Sequence, residues 1–146
     1  MKSQIKYSRI IAGTMTWGQG GKRLSTTRMA GLMNECLALG ITTFDHADIY
    51  GGYTTESEFG KAFSQSGIPR ESIQLISKCG IQYISEARQV KVKHYEYGTD
   101  YILHSATASL KQLNTEYLDL LLLHRPSPLM DPEEVAAAFA ALRDSG

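Results

Sequence analysis

Four ionisable side chains lie far apart in the chain yet share a context: Asp45, Tyr50, Lys78 and His124. Asp45 follows Ile41-Thr42-Thr43-Phe44, Lys78 ends Ile73-Gln74-Leu75-Ile76-Ser77, and His124 follows Leu118-Asp119-Leu120-Leu121-Leu122-Leu123. Tyr50 comes shortly after Asp45. An aspartate, a tyrosine, a lysine and a histidine together suit proton donation to a carbonyl oxygen whose carbon receives a hydride. The phenol is the natural acid: its ordinary pKa is about 10, and a nearby ammonium ion favours the phenolate and so eases the proton's departure near neutral pH. Lys78 is placed to supply that charge, Asp45 to pair with the lysine, and His124 to hydrogen-bond the substrate oxygen. Either Asp45 or Lys78 alone reads as a cap or an ion-pair member; the recurrence of ionisable groups at run after run points to a shared pocket.

The elements that must position these groups alternate. Ile10-Ile11-Ala12 forms a first apolar run ending at Gly13-Thr14, followed by a glycine-rich loop. Ser25-Thr26 is a helix cap ahead of Leu32, Met33, Cys36 and Leu37 at helical spacing, and Gly40 stands where a left-handed terminus belongs. The run 41–44 is a short buried strand. Thr55 and Glu58 have capping-box spacing before Phe59, Ala62 and Phe63, and that helix stops near Gly67. Residues 73–78 form a third strand. A long loop, Gly80 to Gly98, leads to a helix with Leu103, Ala106, Leu110 and Leu113 as its buried stripe. The leucine run 118–123 suits a strand buried on both faces of a parallel sheet. Asp131-Pro132-Glu133-Glu134 opens a fourth helix, with Val135, Ala138, Phe139 and Leu142 on one face and Gly146 closing it. Four βα units of this kind build an α/β fold, as an open doubly wound sheet or as a barrel, and periodicity does not choose between them. In a barrel all strand C-termini open on one face, which gathers scattered residues into one pocket.

The chain has 146 residues, 42% hydrophobic and 21% charged, with Lys plus Arg and Asp plus Glu at 15 each. A single globular domain is expected, without the basic excess that nucleic acid requires. The four-residue apolar stretch near the N-terminus is far short of a signal peptide or membrane span, so a cytoplasmic protein is expected, with Cys36 and Cys79 as structural thiols. His46 and His104 are read as surface or supporting residues. Tyr83, His94, Tyr95 and Tyr97 give the long loop an aromatic character suited either to shaping a substrate pocket or to packing over the sheet. A competing reading takes His46, Asp48 and His124 as ligands of a water-activating zinc. Alternation along an extended segment opposes it, because His46 and Asp48 face away if Asp45 faces inward.

Gly13-Thr14, Asp45-His46-Ala47-Asp48-Ile49-Tyr50-Gly51, Ser77-Lys78 and Leu120-Leu121-Leu122-Leu123-His124-Arg125-Pro126 resemble, in order and spacing, the successive signatures of the aldo-keto reductases. The resemblance covers essentially the whole chain. It implies a (β/α)8 TIM-barrel type of fold with only the first four βα units present, so that residues 1–146 form one truncated domain, the N-terminal half of the barrel. It also implies a catalytic tetrad of Asp45, Tyr50, Lys78 and His124 with Tyr50 as the acid, and a nicotinamide beside Gly13, Thr14, Met15 and Asp45. NADPH as cofactor, an aldehyde or ketone as the small-molecule substrate and no metal follow from the same resemblance. The chain ends at Asp144-Ser145-Gly146, where a family member continues into a fifth strand carrying the phosphate-clasping residues, and it is therefore read as a fragment or truncated product. A second function follows from that reading: a non-catalytic half-barrel that binds or assembles, self-associating through its open sheet edges.

Overall fold

The computed structural model describes residues 6–125 and 127–145; Pro126 of the last signature, Gly146 and the N-terminal residues 1–5 lie outside them. The strands are β1 (Ile11–Gly13), β2 (Thr43–Asp45), β3 (Gln74–Cys79), β4 (Ile81–Gln82), β5 (His94–Tyr95) and β6 (Leu120–Leu123). The helices are α1 (Thr26–Ala38), α2 (Thr55–Ser66), α3 (Thr99–Leu113) and α4 (Pro132–Ser145). Strands β1-β2-β3-β6 make one parallel sheet in that order, as consecutive βα units require.

The register decides which side chains share a face. Gly13 lies opposite Asp45, Asp45 opposite Ile76, and Lys78 opposite Leu122. Because alternate residues of a strand point to the same side, Gly13, Asp45 and Lys78 share one face, and His124 continues it beyond Leu122. The opposite face carries Phe44, Leu75, Cys79, Leu121 and Leu123, against which the helices pack. Under α1 and α2 lie Met29, Met33, Phe44, Phe59 and Leu75, all fully buried. Each contributes roughly 1.5–3 kcal/mol relative to exposure. Under α3 and α4 lie Ile102 and Ala138 with Cys79. At the other end of the sheet Arg70 donates to Asp119 (2.7 Å), whose carboxylate also accepts from the Leu75 amide (2.8 Å), tying β6 to β3.

Ser25 caps α1 by accepting from the Arg28 amide, Asp131 accepts from the amides of Glu133 and Glu134, and Gly40 is left-handed, all as the sequence predicts; Gly67, near which α2 was expected to stop, is left-handed too. The capping box of Thr55 and Glu58 does not form. Thr54 precedes the helix, and the two amides that such a box would satisfy already have backbone partners, that of Thr55 on the Tyr50 carbonyl (3.2 Å) and that of Glu58 on the Thr54 carbonyl (3.0 Å). In α3 the buried stripe is Tyr101, Ile102, Ser105, Ala106, Ser109 and Leu113, with Leu103 and Leu110 only partly covered. On this stripe Ser109 donates to the buried Glu56 of α2 (3.0 Å). The long loop also holds structure: β4 and β5 pair antiparallel, Ile81 with Tyr95 and Gln82 with His94. Among the described residues no helix is long and apolar enough to cross a membrane.

Candidate active site

Both carboxylate oxygens of Asp45 lie 2.7 Å from the Lys78 Nζ. The same ammonium donates to the His46 carbonyl (2.8 Å) and to the Tyr50 Oη (3.3 Å). Lysine has three protons to donate, and these three acceptors occupy them. The ring of Tyr50 stands edge-on to that of His124, with centroids 6.2 Å apart. The four sequence-predicted residues therefore converge, although their Cα atoms belong to three strand ends.

Local backbone explains each placement. Pairing continues past β2: the His46 amide donates to the Ile76 carbonyl and the Asp48 amide to the Lys78 carbonyl (2.8 and 3.0 Å), which holds Lys78 two residues beyond Asp45's partner Ile76 and on the same face as Asp45. The chain then turns sharply through Gly51 and Gly52, both at positive φ, and this turn lifts Tyr50 over the lysine. The His124 amide donates to the Cys79 carbonyl (2.7 Å), and the Tyr97 hydroxyl shares its proton between the carbonyls of His124 (2.8 Å) and Arg125 (2.7 Å). Gly80 makes room for Tyr97, since a Cβ there would stand 1.9 Å from the ring. Burial lowers the His124 pKa, and the charges of Lys78 and Arg125 push it the same way. At neutral pH the ring is therefore a neutral imidazole with one N–H to donate.

Tyr50 and His124 open on a cleft of about 800 Å³ whose walls include Met15, Ile81, Tyr83, Lys93 and Arg125. The three positions after β1 differ. Thr14 is fully buried, its hydroxyl 3.0 Å from the Asp45 carbonyl and 2.9 Å from the His46 Nδ1. Gly13 leaves open space where a side chain would stand, and Met15 is 59% exposed within the cleft. A flat, partly apolar ring fits such a floor.

His46 and Asp48 lie on the helix side of the sheet. The His46 ring packs on Phe59 with centroids 4.3 Å apart, and burial, helped by the Lys78 charge, lowers its pKa to about 3. Asp48 is pushed up to about 7, mainly by burial, then by the Glu56 charge. It faces a separate cavity of about 370 Å³ with Glu56, Arg88 and Ser105. They do not gather with His124 into a three-ligand zinc arrangement among the described residues. Sequence reasoning also missed Glu56, which accepts from Ser77 (2.5 Å) and Ser109 (3.0 Å) behind the lysine strand. Nothing in the local spacing links a carboxylate of α2 to hydroxyls on β3 and α3. Lys93 was likewise hidden in a loop without periodicity, whereas Tyr83, one of the loop aromatics expected either to shape a pocket or to pack over the sheet, does line the cleft.

A family model described as the aldo/keto reductase family matches residues 9–146. The chain is 46% identical to the Bacillus subtilis oxidoreductase YcsN, over 100% of this chain and 48% of that protein. It is 44% identical to the Escherichia coli oxidoreductase YdhF, over 97% of this chain and 46% of that protein. To the 6-dehydroglucose reductase of Agrobacterium fabrum it is 39% identical, over 100% of this chain and 49% of that protein. The solved holo form of an aldo-keto reductase from Bacillus halodurans superposes with a TM-score of 0.81 at 29% identity, covering 99% of this chain and 45% of that one. The chain thus spans about half the length of the curated relatives it matches.

Proposed function

Since the chain belongs to the aldo-keto reductase family, we propose that its cleft reduces an aldehyde or ketone to the alcohol, with NADPH as cofactor and Tyr50 as the proton donor. The observation that carries this reading is the Lys78 ammonium held between Asp45 (2.7 Å) and the Tyr50 hydroxyl (3.3 Å), with His124 across the same cleft. Gly13, Thr14, Met15 and Asp45 would hold the nicotinamide of NADPH, whose chemistry would be to supply the hydride.

The chain's own residues manage the oxygen. Tyr50 Oη gives its proton to the substrate oxygen as negative charge develops there. The ammonium of Lys78 compensates the charge left on the phenolate, and Asp45, paired with that ammonium, keeps it aimed. The N–H of neutral His124 bonds the same substrate oxygen and strengthens as the carbonyl becomes an alkoxide, which lowers the barrier more than it aids substrate binding. A small carbonyl compound is the partner this site suits. The cytoplasm is where we place the reaction.

The test is Tyr50→Phe in a protein completed with the C-terminal half of a related reductase. Carbonyl reduction should fall about 100-fold or more, while NADPH affinity changes little, because only the transferable proton is removed. Turnover retained at the parent rate would remove Tyr50 from this role.

A further inference from the structure

The charges around the mouth of the cleft are all of one sign. Lys93, from the loop before β5, and Arg125, next to His124, line its wall, and no aspartate or glutamate does so among the described residues. Neither cation is in an ion pair among those residues, whereas Arg28, Arg70, Lys78 and Arg143 are. Asp45 cannot offset them, because both of its oxygens are engaged with Lys78. The nearby acids Asp131 and Glu134 face a different cavity with Tyr95 and Tyr97. Arg125 is also fixed at its root: its φ is +61° and its carbonyl accepts the Tyr97 hydroxyl, a conformation held by the strand end rather than by its own side chain.

Two uncompensated cations beside one polar reaction centre repel each other and attract an anion. Resting on the reductase reading of this cleft, we propose that the substrate is an anionic carbonyl compound, whose carboxylate is received by Lys93 and Arg125 while its carbonyl lies at Tyr50 and His124. The planar guanidinium of Arg125 suits a carboxylate through two parallel N–H bonds, and Lys93 adds a point charge from the facing loop. Because both side chains belong to segments flanking the cleft, the anion sits away from the reacting carbon. It selects and orients the substrate without entering the proton transfer.

The test compares 4-formylbenzoate with the nearly isosteric, uncharged 4-formylbenzamide, binding each to the full chain and following chemical shifts of the cleft residues by NMR. The carboxylate should bind about tenfold more tightly at low salt, and this preference should shrink at high salt. Lys93→Gln and Arg125→Asn should each remove about threefold of it. Asparagine is chosen because it tolerates positive φ. Should Arg125→Asn fail to fold, the salt dependence and Lys93→Gln decide by themselves. Equal binding of the two probes, tighter binding of the amide, or no binding of either overturns the proposal. Reductase turnover is assayed separately with both aldehydes in the completed protein. Reduction of both without preference sinks the anion site and leaves the reductase reading intact, whereas selective carboxylate binding without turnover supports the anion site and sinks the reductase reading.

Discussion

His46 and Asp48, two positions apart on the helix side of the sheet, titrate in opposite senses. His46 is held near 3 against an ordinary 6.5, so below about 6.5 the unfolded chain takes up a proton that the folded one refuses, and stability falls as pH drops toward 3. Asp48 is held near 7 against 3.8, so the folded chain keeps a proton that the unfolded one releases, and stability falls as pH rises from about 4 through 7. Between roughly 4 and 6.5 the two slopes oppose each other. Asp48→Asn removes only the second. Its unfolding free energy should exceed the parent's at pH 8, by on the order of 2 kcal/mol with a correspondingly higher thermal midpoint, and by much less at pH 5, where the parent carboxyl is already protonated in the fold. Equal gains at both pH values in a thermal melt would show that Asp48 is not the buried acid described. The sequence made the inward set legible at this scale, because alternation from Asp45 already implied that His46 and Asp48 point away. Their burial and opposed titration were not legible, since both depend on Phe59 and Glu56, which arrive from another element.

At the scale of elements, strands β2, β3 and β6 could be read because β-branched or leucine runs end abruptly in a polar residue. The β4–β5 pair could not, since two-residue strands carry no periodicity and their pairing is set by the return of the loop. The capping box failed for a related reason: the Thr55 amide was satisfied by Tyr50, a partner outside the pattern, and the Glu58 amide by the Thr54 carbonyl. Tyr97 shows what the loop contributes. It was expected to shape the pocket or to pack over the sheet, and the structure buries it at 6% exposure, with its hydroxyl on the carbonyls of His124 and Arg125. Tyr97→Phe should therefore cost about 1 kcal/mol in urea unfolding and speed amide exchange around His124, because two strand-end carbonyls lose a shared donor. Gly80→Ala should cost several times more, since it sets a methyl group into the Tyr97 ring at a φ of +125°. A changed ranking of aldehydes with stability untouched would instead place the Tyr97 hydroxyl in the cleft.

For the whole molecule, the decisive feature is that β1 and β6 each bond to one neighbour only among the described residues. The sheet face that carries the cleft is also open there, with Ile11 45% and Leu122 38% exposed, whereas the helix-facing side is closed by α1 to α4. Strand edges of this kind pair with other strands when they meet them, and an apolar face beside them adds to the drive. The relatives are about twice as long, and their likeness to this chain is confined to about half of their length. The 146-residue polypeptide expressed by itself should therefore self-associate in a concentration-dependent way by light scattering. On the proposed placement of the nicotinamide, its floor at Gly13 and Met15 is open to one side, so the chain should bind NADPH weakly in a fluorescence titration. Adding the separately expressed C-terminal half of a related reductase should tighten binding at least about tenfold, a gain of roughly 1.4 kcal/mol, because groups on two surfaces then hold one ligand. It should also disperse the self-associated species, since both open edges gain partners. Tight NADPH binding before that addition, or a monomer at every concentration, would mean that these four βα units form a self-sufficient site despite their two open edges.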